Sequence, residues 1–132
     1  MFNRAEVYEK GMCRQARVGD GYLDKPLITT NADAGNQAIT VAMIMGGAGV
    51  FTGAAGAVQY TVATAVDILA AMPDMDIGDT YTFTVTNTAA QVATLNTASA
   101  GVTYAGFTTA NAQTRTGIIE KTSATTIKLT WI

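Results

Sequence analysis

Three carboxylates stand close together in Met72-Pro-Asp-Met-Asp-Ile-Gly-Asp79, at Asp74, Asp76 and Asp79. Oxygen ligands crowded this way suggest a calcium loop, which needs acids at positions 1, 3 and 5, glycine at 6 and a bidentate glutamate at 12. Asp74 and Asp76 satisfy the first two positions. Position 5 is Gly78, position 6 is Asp79 and position 12 is Val85, so the pattern fails three times. The stretch reads instead as a turn: Pro73 stops a helix, Gly78 permits the reversal, and the acids solvate the loop.

No other residue set converges on a reaction. The chain has no histidine, which removes the usual general base and the commonest transition-metal ligand. Its single cysteine, Cys13, can form no intrachain disulfide. Only Arg14 and Arg17 stand near enough in sequence to lower its pKa, and it reads as a small inert residue. The serines, Ser99 and Ser123, lie outside any Gly-x-Ser-x-Gly elbow. Nothing signals a pair of carboxylates brought together for glycoside hydrolysis. Gly46-Gly-Ala-Gly49 lacks the Gly-Lys-Ser/Thr ending of a phosphate loop. Trp131 could stack on a sugar, but in an alternating strand it reads as core. The threonines of 80–88 suggest an ice-binding ladder, yet such a surface needs several aligned flat strands, and one strand carries the pattern. The expectation is therefore no catalytic residue, no cofactor and no metal.

The elements that would position any site follow from charge and periodicity. The chain has 132 residues, 48% of them hydrophobic, with a formal net charge of −2. That length suits one domain, and that charge argues against a nucleic-acid binder. Residues 1–33 hold Arg4, Lys10, Arg14, Arg17 and Lys25 against Glu6, Glu9, Asp20, Asp24 and Asp33, whereas 34–66 hold no charge. This asymmetry predicts an N-terminal arm over 1–37, extended or partly helical, followed by a β-rich body over 38–132. Within the arm, Arg4–Arg17 could form a short helix, and Leu23–Ile28 reads as extended because Pro26 biases Lys25 away from helix. No apolar leader opens the sequence. The apolar run 38–72 is broken by glycines and polar residues, which predicts no membrane span.

In the body, Ala38–Met45 reads as a buried strand, and the glycine-alanine run to Gly56 as a flexible connection. Val58–Val62 alternates as a strand should. Thr64–Met72 predicts a short helix capped by Thr64, with Asp67 in its first turn. The clearest strand is Thr80-Tyr-Thr-Phe-Thr-Val-Thr-Asn-Thr88, with Tyr81, Phe83 and Val85 facing inward. Further strands are expected at Gln91–Leu95 and Val102–Tyr104. A terminal hairpin pairs 116–121 with 125–132 through a turn at Thr122–Ala124, placing Ile127, Leu129 and Trp131 on one face. The fold class expected is mainly β: an antiparallel sandwich or barrel, jelly-roll types included, with one short helix.

From residue 58 onward the chain resembles a family of tailed-bacteriophage structural modules. The resemblance rests on Thr64-Ala-Val-Asp-Ile-Leu-Ala-Ala-Met-Pro73, Gly78-Asp79, Thr80–Thr88, Thr94-Leu95, Ala98-Ser-Ala-Gly-Val-Thr103 and the hairpin Gly117–Leu129. It covers a little over half the chain. It implies a capsid decoration, or cement, protein or a related head-fibre module: mainly β, commonly trimeric, with no catalytic motif. The partners implied are a major capsid protein and other copies of the chain, without nucleic acid or membrane. The location implied is the capsid surface of the virion, after synthesis in the host cytoplasm. An alternative is a head- or tail-fibre module that binds a host-surface glycan through Tyr104, Phe107 or Trp131. A small hydrolase is disfavoured by the lack of histidine.

Overall fold

A computed structural model describes residues 27–132, and the protein is mainly β. The strands are β1 (Leu27–Asn31), β2 (Gln37–Ile39), β3 (Gly47–Phe51), β4 (Val58–Val62), β5 (Thr80–Thr94), β6 (Val102–Gly106), β7 (Thr109–Lys121) and β8 (Ile127–Trp131). Two short helices are interposed, α1 (Val41–Gly46) and α2 (Ala65–Ala70). The helix proposed at Arg4–Arg17, and Cys13 with it, lie outside the described residues.

The main sheet runs in the order β1-β3-β5-β7-β8-β6, with β4 joining the far end of β5 and β2 joining β4. It is mixed, which corrects the antiparallel expectation. β5–β7 and β7–β8 are antiparallel, while β1–β3, β3–β5, β4–β5, β2–β4 and β6–β8 are parallel. Parallel neighbours need a crossover between them. Here α2 makes the crossing from β4 to β5. Thr64 caps that helix as expected, its Oγ1 accepting from Asp67 N at 3.3 Å.

Two segments differ from the sequence expectation. Ala38–Met45 is not one strand: it splits into the end of β2 and helix α1. Thr40 makes the break, its hydroxyl accepting from Met43 N at 3.2 Å and starting the helix, so Met43 and Ile44 point into the core. The glycine-rich stretch expected to be a flexible connection contains β3. It is glycine-rich because α1 lies against it, and a Cβ on Gly49 would sit 2.8 Å from Met43 Sδ. Within the segment expected as an arm, Leu27–Asn31 pairs along its whole length with β3.

β5 is a single strand where two were expected. It is interrupted by a register shift in which Thr88–Gln91 face only Ala112 on β7. Such a bulge bends the strand that carries it, and beyond it the end of β5 pairs with β4, which pairs in turn with β2. Asn87 holds the corner. Fully buried, it donates from Nδ2 to Gln91 O (2.7 Å) and Ala110 O (3.1 Å), and its Oδ1 accepts from Ala89 N at 3.1 Å.

The core draws on β2, β3, β4, β5, β7, β8 and both helices. Phe51 and Tyr60 stack with ring centroids 4.0 Å apart, and Phe83 meets Trp131 edge-on at 5.5 Å. Ile127, Leu129 and Trp131 are all fully buried, as the alternation of the last strand predicts. Gly117, paired with Trp131, leaves room for these rings; a Cβ there would lie 2.8 Å from the Phe83 ring and 2.9 Å from Trp131.

Candidate interaction surface

The acidic stretch is a turn whose carboxylate serves the backbone. Asp79 Oδ2 accepts from Asp76 N at 2.9 Å, and Asp79 N donates to Asp76 O at 2.9 Å. Gly78 (φ 95°) donates its N–H to Lys121 O, and Lys121 Nζ donates to Met75 O at 2.8 Å. The turn is thereby fastened to the end of β7. Its neighbours Met72, Met75, Thr80 and Tyr81 line an open depression that collects no buried polar side chain. Among the described residues, no three carboxylates or thiols gather where they could hold a metal ion.

The aromatic candidates are likewise separated in role. Trp131 is 0% exposed, so it can offer no ring to a ligand. Tyr104 is half-buried, and its hydroxyl donates to Thr97 O at 2.8 Å; burial pushes its pKa up to about 12. Phe107 is 57% exposed, with the Arg115 guanidinium over one face of its ring, 4.2 Å from the centroid. No helix among the described residues is long and apolar enough to cross a membrane.

What the strands do assemble is a face. Residues paired across a sheet share a side, so the register fixes what stands opposite the core. One row reads Thr30, Val50, Thr86, Thr114; the next reads Ile28, Ala48, Thr84, Thr116, Ile132. The third is Thr82, Ile118, Thr130, Ala105, and the fourth Thr80, Glu120, Lys128, Thr103. The threonine alternation seen in one strand thus extends over most of the sheet. Every residue of the four rows is half-buried or exposed.

The chemistry of this face is unusual for open surface. Its charges are one acid and one base, Glu120 and Lys128, paired across β7 and β8. Several hydroxyls are already engaged within it. Thr86 and Thr114 share a hydrogen bond of 2.7 Å, while Thr84 donates to Gly47 O and Thr103 to Ile127 O, both at 3.4 Å. Methyl groups and short aliphatic chains make up much of the remainder.

Sequence reasoning recognised the threonine face of β5 but not its extent, because strand order decides which rows align. Asn87 was also missed as a structural hinge; the one hint was that strict alternation stops there, before Thr88-Ala-Ala-Gln91. Comparisons with known protein families, with curated proteins and with solved structures find no match to this chain.

Proposed function

We propose that this chain is a structural virion protein that binds the outside of a phage capsid and stabilises the shell as an oligomer. The observation that carries the reading is the broad, almost uncharged outer face of the main sheet. A large open face of threonine methyls and aliphatic side chains is the kind of surface other protein covers. The described residues offer no converging acid, base and nucleophile beside it, and the threonine-rich strand β5 is also the segment that most resembles phage structural modules. The role is to pack and pair. Cementing follows if each chain adds a modest contact to the shell and oligomerisation multiplies those contacts.

The glycan-binding alternative has less support. Of its three aromatics, Trp131 is core, Tyr104 is half-buried, and Phe107 alone stands exposed, with one ring face taken by Arg115. Mixing the purified protein with capsids that lack it tests the reading directly. Regular added density on the shell, seen by electron microscopy, with a raised rupture temperature is the expected result. Bare shells at saturating protein would sink it.

A further inference from the structure

We infer that the outer face of the main sheet is a self-association surface, covered in solution by the same face of a second copy of this chain. The inference uses the same face as the capsid reading and assigns it to a neighbouring copy, so that it supplies the oligomer and not the direct shell contact. Three features select the occupant.

The first is charge. Glu120 and Lys128 are opposite in sign and adjacent in the register, so the face carries no net charge and meets its own copy without like-charge repulsion. The second is the ease of dehydration. Burying a hydroxyl without a partner is costly, but Thr84, Thr86, Thr103 and Thr114 already bond within their own sheet. Their methyls can then be covered cheaply. The third is size. With strands ~4.8 Å apart and ~6.7 Å per two-residue repeat, the 17 positions of the four rows give a flat footprint of about 550 Å². That lies below the roughly 800 Å² per partner of a standard interface and suits a weak, concentration-dependent one.

Twist favours a protein partner over a lattice of ordered water. Adjacent strands rotate by about 20–25°, so a sheet this wide is not flat. Two twisted sheets nevertheless pack face to face, with strand directions within about 30° of each other. The isolated apolar residues at the two ends of one row, Ile28 (61% exposed) and Ile132 (54%), would both be sheltered in such a pair.

Sedimentation velocity on the full chain over a concentration series tests this. An even-numbered assembly that dissociates on dilution is expected, in place of the trimer that the family resemblance implies. Thr84→Lys, placing a charge at the centre of the face, should halve its mass and weaken association at least tenfold, while Gln59→Lys, exposed on β4, should change neither. Thr116→Lys, across the ladder from Thr84, repeats the test should Thr84→Lys lower the melting temperature. A monomer at all concentrations, an odd-numbered assembly, or an assembly unmoved by both face lysines overturns the inference. If the lysines abolish capsid binding without altering mass, the face belongs to the shell instead. Even-numbered assembly without capsid binding would leave self-association standing and remove the cement reading.

Discussion

Asn87 concentrates more consequence than any other polar side chain described. Its amide supplies both donors and its carbonyl the acceptor that the bulge leaves unpaired, all at 0% exposure. Asn87→Ala therefore leaves the Gln91 and Ala110 carbonyls and the Ala89 N–H without this partner, at a cost of about 2–4 kcal/mol. Urea denaturation reads this as a lower midpoint; an unchanged midpoint would show that the bulge is held by something else. Ala112, opposite the bulge, lies at φ 51°, in the left-handed region that disfavours a Cβ. Ala112→Gly should gain about 0.5–1 kcal/mol in the same assay, and a loss would place the strain elsewhere. Among the described residues, Tyr60 Oη and Trp131 Nε1 are buried and find no hydrogen-bond partner, so packing is what holds both rings. At this scale the sequence was informative where periodicity speaks: Phe83, Val85, Ile127, Leu129 and Trp131 are core as their alternation requires. It was silent on Asn87, since nothing local states what lies across a bulge.

At the scale of elements, the errors have one cause. Ala38–Met45 and Gly46–Gly56 were read from composition, but what decided them was contact with other elements. A capping threonine turned an apolar run into α1, and the helix required small residues beneath it, which made a glycine-rich segment the right material for β3. Helix α2 was legible because its cap, its acidic first turn and its terminating Pro73 are all local signals. The edge strand β6 carries a testable consequence. Tyr104 anchors it to the preceding loop by donating to Thr97 O at 2.8 Å, and burial raises its pKa to about 12, against about 10 for an exposed tyrosine. The fold favours the protonated phenol, so its stabilising contribution is complete below about pH 10 and disappears as the pH rises towards 12. Denaturation midpoints measured through that interval should fall. Tyr104→Phe should flatten part of the decline, leaving the share due to Tyr60, whose pKa burial also raises. An equally steep fall in that variant would assign the alkaline transition to other groups.

At the scale of the whole molecule, the mainly β class was legible from short alternating runs, but the order and direction of the strands were not. A parallel ladder between β1 and β3, or β6 and β8, joins strands through intervening structure, and no local pattern records such a pairing. That missing order also hid the candidate surface, which exists only because threonines from separate strands fall into common rows. The surface links the two proposals quantitatively. If the protein cements a shell as an oligomer, its apparent affinity is the product of weak single contacts raised by effective concentration, a gain of about 10²–10⁴. A variant made monomeric by Thr84→Lys should then bind capsids at least a hundredfold more weakly than the native protein, even though its own shell-facing contact is intact. Raising the density of the variant on the shell, by fusing it to an unrelated dimer, should restore part of the loss. Co-sedimentation with capsids over a protein concentration series measures both effects. Native-like binding by the monomer would mean that one chain carries the whole contact and that multivalency contributes nothing. Weak binding that the fused dimer fails to rescue would mean that Thr84 itself touches the shell, which returns the face to the capsid.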